Sequence, residues 1–294
     1  MNKDRSREKH HYIPQFYLRQ WCDNNNKLWA HPLDGRRPYK IGPRGVAYSR
    51  GLYDTFSHQT LANMDMEAHL GKLENLFAKV WPNICLGIEH PETKRNVSRF
   101  LALTWLRHPY CKELIQNINQ QTHAMLSTIP PEQDKIEFLH KVGSSMLDLS
   151  QTLSETANTP QNNSEGFLRT VVSLLRELSD VMFARKWKVF QTSKPVFLTG
   201  DCSLVVWRGT STKHVFGLGT PGTQITFPIS PTLLLIIDDD TKQREGVYGV
   251  DAKEVSHPNV GVIKASSQFV FSATPDIEPT LRRSHGMGTG DILS

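Results

Sequence analysis

Two adjacent histidines, His10 and His11, precede Tyr12-Ile13-Pro14 and the segment Gln15-Phe16-Tyr17-Leu18-Arg19-Gln20-Trp21. Imidazole moves protons near neutral pH and binds metals, so one of the pair could act as a general base or metal ligand. Successive side chains of a strand face opposite ways, so only one of them can face a site. The competing reading is a histidine that hydrogen-bonds the structure after it. Arg107 ends a helical stretch before His108-Pro109; its guanidinium could grip a phosphate bidentately and stabilise transition-state charge, or cap its helix. Asp201 follows Val196-Phe197-Leu198-Thr199 through Gly200. A carboxylate at a strand end can ligate a metal or orient a histidine, or close a turn. Glu67 and Glu74 share one helical face, about 10 Å apart. They are candidate ligands for a divalent metal, Mg or Mn, with help from elsewhere in the fold; an ion pair to Arg99 or Arg107 is the alternative.

The elements that must position these groups follow from the pattern. Pro14 suits a helix start, and Pro14, Tyr17, Leu18 and Trp21 fall on one helical face. Residues 27–33 and 38–41 form a hairpin about Asp34-Gly35. Helical stripes run from Leu61 to Ile84, from Val97 to Leu106, from Leu114, after Pro130-Pro131, and from Phe167 to Met182. Residues 155–165 are polar and turn-rich. Strands are expected over 187–192, 195–199, 203–207, 224–228, 232–237 and 268–271, with a short helix within 251–256 or 259–267. Asp238-Asp239-Asp240 reads as a solvated turn. The expectation is α+β: a short N-terminal helix and β-hairpin, a central bundle of about five helices, and a C-terminal antiparallel sheet. Residues 1–9 form a flexible basic lead. Residues 10–273 form one domain, divided into 10–57, 58–185 and 186–273, and 274–294 form a loose tail.

Charge is unevenly placed. The 294-residue chain carries a formal +5, yet its first 50 residues hold eleven Lys/Arg against four Asp/Glu. Such a field gathers polyanions, nucleic acid or a nucleotide above all, with Lys9, Arg19, Arg36 and Arg37 as candidate binding residues. A solvated basic arm is the plainer reading. No apolar run approaches a membrane span, and Met1 opens no secretory signal. Four scattered cysteines form no CxxC pair, which disfavours a cysteine zinc site and suits reduced thiols in a cytoplasm. The fingerprints GxSxG, HExxH, the P-loop and the dinucleotide loop do not occur.

The string HHYIPQFYLRQW resembles the opening signature of a bacterial family, domain of unknown function 4238. Further motifs match in order: Gly51-Leu52-Tyr53, Glu67 and Glu74, Arg107-His108-Pro109, Phe197 to Ser203, and Thr226-Phe227-Pro228-Ile229-Ser230-Pro231. Cys202-Ser203 stands where that family often has Asn-Pro. The resemblance spans about residues 9–273 and implies a fold but no reaction. His-His-x-Ile-Pro is also similar, over five residues, to the double histidine of His-Me finger nucleases, whose histidine activates water against a metal-bound phosphate.

The first functional expectation is therefore a nuclease or other phosphodiesterase acting on RNA or DNA, of the toxin or phage-defence kind. His10 or His11 would be the base, Arg107 the phosphate-binding residue, and Asp201 with Glu67 or Glu74 the orienting or metal-holding groups. The second is a non-catalytic module that binds nucleic acid or a nucleotide through the basic N-terminal face. The third is a partner-binding protein in which the histidines only pack.

Overall fold

The computed structural model describes residues 9–50, 66–84, 90–108, 163–207, 218, 220–253, 255–277 and 292–293. Leu52-Tyr53 and the stripes expected between 114 and 149 lie outside the described residues, as does most of the 155–165 segment.

The N-terminal elements are β1 (Lys9–His11), α1 (Gln15–Leu18) running into a 3-10 turn (Arg19–Trp21), β2 (Leu28–Pro32), β3 (Tyr39–Ile41) and β4 (Tyr48–Arg50). Among the described residues three helices follow, α2 (Met66–Val80), α3 (Pro91–Leu106) and α4 (Asn163–Ala184). Next come β5 (Lys186–Gln191), β6 (Thr199–Gly200), β7 (Val205–Trp207), β8 (Gln224–Ser230), β9 (Leu233–Asp238) and β10 (Gly246–Gly249). The chain closes with α5 (Ser256–Ala265), β11 (Phe269–Ser272) and β12 (Ile292–Leu293). The class is α+β, as the pattern implies.

The C-terminal strands do not form one sheet. Six of them make a sheet of order β10-β5-β9-β8-β7-β12, while β11 and β6 join the N-terminal hairpin in a four-stranded sheet, β3-β2-β11-β6. β1 and β4 pair separately. β10 enters parallel to β5, so the larger sheet is not wholly antiparallel.

Alternation explains how the larger sheet is covered. Trp187, Val189, Ile225, Phe227, Ile229, Leu235 and Ile237 turn one way into the main core, which Phe77, Trp81, Phe100 and Leu101 of the helical layer complete. On the opposite face Leu234 and Ile236 meet Phe197 and Val255. Val205 and Trp207 meet Val262 and Ile263 of α5.

The helices begin and end where local chemistry directs. Pro91 occupies the first turn of α3, where its missing N–H costs nothing, and Glu92 lies in the same turn. Pro14, the expected first helical residue, caps α1 from outside it, with φ −61° and ψ 136°, so the helix begins one residue later than expected. Its carbonyl accepts the N–H groups of Tyr17 and Leu18. Gly35 at φ +86° makes the hairpin turn between β2 and β3.

The strand expected over 195–199 shortens to Thr199–Gly200. The backbone of 196–198 is satisfied by other partners. Asn259 Nδ2 donates to the Val196 carbonyl at 2.7 Å, and Leu198 N–H donates to Asn259 Oδ1 at 3.0 Å. The Val196 and Phe197 N–H groups both reach the Pro231 carbonyl.

Asp238 is not a solvated turn. It ends β9, is 7% exposed, and accepts Lys188 Nζ at 3.0 Å on both carboxylate oxygens. A charge placed on the covered side of a sheet needs such a partner.

Candidate functional site

The histidine motif is a strand that turns into the core. β1 pairs antiparallel with β4, with His10 opposite Ser49 and His11 opposite Tyr48. The ladder continues as Tyr12 N–H donates to the Ala47 carbonyl at 3.1 Å. Ala47 holds φ +52° to present it, a left-handed conformation that costs an L-residue about 1–2 kcal/mol. The His11 and Tyr48 rings lie 5.9 Å apart.

Beyond Pro14 the motif is an anchor. Tyr17, fully buried, donates its hydroxyl proton to the Pro228 carbonyl at 2.7 Å and meets Thr199 Oγ1 at 2.8 Å. Trp21 Nε1–H donates to the Phe197 carbonyl at 2.9 Å. Tyr17 also packs edge-on against Trp21 and Trp81 and tilted on Phe227. The motifs around 197–203 and 226–231 therefore meet the N-terminal one in space.

Arg107 ends α3 as its C-cap and is 5% exposed. Nη1 donates to Glu74 Oε1 at 2.6 Å, and Nη2 donates to the His11 carbonyl. The guanidinium thus ties α2, α3 and the end of β1 together, and its fork is engaged by protein groups. Of the two expected metal ligands, Glu74 is in this ion pair, while Glu67 is placed by its backbone on α2 one heptad earlier. Among the described residues no three His, Cys, Asp or Glu side chains gather to hold a metal ion.

Asp201 is 1% exposed. Its carboxylate accepts the N–H groups of Ser267 at 2.9 Å, Gln268 at 2.6 Å and Phe269 at 3.2 Å, and the Ser267 hydroxyl at 3.1 Å. It closes the turn between α5 and β11, where consecutive backbone donors converge on one anion.

Tyr12, His108, Asp201, Cys202 and Ser203 border a recess of about 10 Å³, room for about one water. The Tyr12 and His108 rings meet edge to face at 5.6 Å. Burial, then the Asp201 charge, then Cys202, hold the Tyr12 phenol well above its usual range. Burial and Asp201 push the Cys202 thiol up to about 12, so it is a poor nucleophile at neutral pH.

The basic residues named from sequence sit elsewhere. Arg19, Arg36 and Arg37 are exposed, as are Lys27, Lys40 and Arg44. Arg36 pairs with Asp34 at 2.8 Å and Lys40 with Asp23 at 2.6 Å. Lys9 and His10 are placed by backbone pairing in β1.

The structure therefore brings His11, Arg107 and Glu74 into one cluster, sets Asp201 and Tyr12 on the border of the same recess, and leaves Arg19, Arg36 and Arg37 on the surface. Sequence reading passed over Tyr12 and His108 as chemistry; their adjacency to His11 and Arg107 in two separate motifs was the available signal. It also passed over His31, 3% exposed, whose Nε2 meets Ser272 Oγ at 2.7 Å. A histidine inside an alternating apolar strand was the clue there.

Comparison with known proteins gives one family. The family described as "Protein of unknown function (DUF4238)" matches residues 9–276. No curated protein and no solved structure matches this chain.

Proposed function

We propose that this chain, which belongs to the DUF4238 family, binds nucleic acid through the basic face of its N-terminal region. The observation that carries this reading is the composition of residues 11–49. All six of their Lys and Arg residues are exposed, and they face only two carboxylates, Asp23 and Asp34. Exposed cations of this density attract a polyphosphate and release its counterions. No helix among the described residues is long and apolar enough to cross a membrane, and Cys22 and Cys202 are free thiols. Both features suit work on nucleic acid in the cytoplasm.

A second reading, phosphodiester hydrolysis, is favoured by the packing of His108 on Tyr12 beside the pinned strand end of His11. A histidine there would take the proton of an attacking water as its oxygen bonds to phosphorus. The P–O bond to the leaving oxygen breaks, and that oxygen takes a proton. Arg107 then acts as a positioning residue, since its fork is held by Glu74 and the His11 carbonyl. A chain of this kind would serve as an effector nuclease, of the toxin or phage-defence type.

One experiment separates the two. Total RNA and plasmid DNA are incubated with purified wild type and with His10→Ala/His11→Ala, in Mg²⁺, Mn²⁺ or EDTA, and binding is measured in parallel. Binding by both proteins without cleavage supports the module. Cleavage by wild type alone, with the variant folded, supports the nuclease. Absence of both binding and cleavage refutes both readings.

A further inference from the structure

Three separate stretches of chain meet at the recess beside the histidine motif. Tyr12 follows β1, Trp105 and His108 come from the end of α3, and Asp201 and Ser203 follow β6. Two hydroxyls on its border lack a partner. Tyr12 is 6% exposed and Ser203 2%, so burial has taken both away from bulk water. Among the described residues the Tyr12 phenol makes no hydrogen bond. Ser203 Oγ has no partner in hydrogen-bond geometry; it lies near the Tyr17 hydroxyl, whose proton goes to the Pro228 carbonyl. Buried hydroxyls left unpaired are unfavourable, and a small polar head seated in the recess would satisfy them.

Charge selects the kind of head. Asp201 is 1% exposed. Its hydrogen bonds come from three backbone N–H groups and one hydroxyl, and among the described residues no cation pairs with it. Burial first, and then that charge, keep the Tyr12 phenol and the Cys202 thiol protonated on the recess border. Trp105 belongs to the last turn of α3, and a helix C-terminus presents the negative end of its peptide dipoles. The guanidinium of Arg107, the C-cap of α3, is engaged by Glu74 and the His11 carbonyl. Carboxylate and helix end therefore repel an anion here and attract a cation. The rings of Tyr12 and the half-buried Trp105 suit a cation as well. Room for about one water admits an NH₃⁺ head and excludes a quaternary ammonium.

We infer that the recess binds a primary ammonium group, with the Tyr12 and Ser203 hydroxyls accepting its N–H donors and Asp201 and the end of α3 supplying the negative field. A lysine side chain of a peptide and a small aliphatic diamine both carry this head. The site is separate from the basic N-terminal face and does not depend on nucleic-acid binding.

The test is calorimetric titration of the full chain at neutral pH and constant ionic strength with Nα-acetyl-lysine amide, putrescine and tetramethylammonium. The proteins are wild type, Tyr12→Phe and Trp105→Leu, each checked for native melting. Tyr12→Phe keeps the ring and removes a hydroxyl that bonds nothing, so its melting temperature should not fall. The expected result is that at least one primary amine binds saturably, one per chain, about tenfold or more tighter than tetramethylammonium. Tyr12→Phe should weaken that binding about tenfold, as loss of a hydrogen bond to a charged group does, and Trp105→Leu about threefold or more. Preference for the lysine amide names a peptide side chain as the source, and preference for putrescine names a free diamine. Absence of saturable binding by either amine, equal binding of tetramethylammonium, or binding that Tyr12→Phe leaves untouched overturns the ammonium site.

Discussion

Replacing Arg107 by alanine separates an architectural arginine from a phosphate-binding one. The Arg107 side chain is 4% exposed and its partner Glu74 is 27% exposed, with 2.6 Å between Nη1 and Oε1. Removing one partner of a buried pair costs about 3–5 kcal/mol, because the other charge is left uncompensated. Glu74 retains enough exposure for water to solvate it in part, which lowers the figure to about 2–4 kcal/mol. The His11 carbonyl loses its Nη2 donor as well. With an unfolding entropy of about 2.1 cal/mol/K per residue, a chain of this length should melt about 3–7 °C lower. Glu74→Gln in the same background removes the stranded charge and should restore part of the loss, giving a coupling energy of about 1–3 kcal/mol. The assay is denaturant or thermal unfolding of the two single variants and the double variant. If Arg107→Ala melts within about a degree of wild type while nucleic-acid affinity collapses, the guanidinium is a ligand-binding group and its structural assignment is wrong.

Four other outcomes follow from the same contacts. Asp201→Asn replaces an acceptor of four hydrogen bonds with a group half of which donates, and should cost about 2–4 kcal/mol in urea unfolding; an unchanged midpoint would show that the turn does not depend on it. Tyr17→Phe strands Thr199 and the Pro228 carbonyl and should cost about 1–3 kcal/mol, read by the same method. Gly261→Ala places a methyl 2.3 Å from Trp207 Cζ2 and should destabilise by about 1–3 kcal/mol, with a shift in tryptophan emission. Burial lowers His31 to about 4, against opposing pulls from the Thr274 carbonyl and Asp276. Its folded value lies below its unfolded one, so the unfolded chain binds the extra proton. Stability contributed by neutral His31 is then full above about pH 6.5 and falls as pH drops toward 4, by about 2 kcal/mol after allowance for screening. His31→Gln should flatten that part of the stability profile, and an identical slope in both proteins would exclude His31 as its source.

Much of the local structure is legible in the sequence because it depends on near neighbours. The 3.6-residue stripe through Phe77, Trp81 and Ile84 becomes α2 and the turn after it, and Asp34-Gly35 marks its hairpin. What the sequence does not display is partner choice. Tyr17 meets Thr199 and Pro228 across separations of 182 and 211 residues, and no local period encodes such contacts. β11 resembles a C-terminal strand among others, yet it pairs with β2 and so belongs to the N-terminal hairpin's sheet. β10, Gly-Val-Tyr-Gly, is too short and glycine-rich to register as a strand and exists through its parallel pairing with β5.

The candidate site divides in the same way. The residue types at His11, Arg107, Glu74 and Asp201 were visible, because a charge or imidazole beside an apolar run stands out. Their tasks were not, because a buried arginine and a phosphate-binding arginine look alike until the distance to Glu74 is known. The surface cations were the easiest to read, since exposed charge in a hairpin turn needs no distant partner to explain it.

The most direct measurement is the affinity of a labelled oligonucleotide for the purified chain as a function of salt, beside Arg36→Glu/Arg37→Glu. Binding that weakens with a log–log slope of about −3 or steeper, as several phosphate contacts require, and that the double reversal abolishes while leaving the melting temperature in place, is the expected result. No binding at low salt, or binding that ignores both salt and the reversal, would contradict nucleic-acid recognition by the N-terminal basic face.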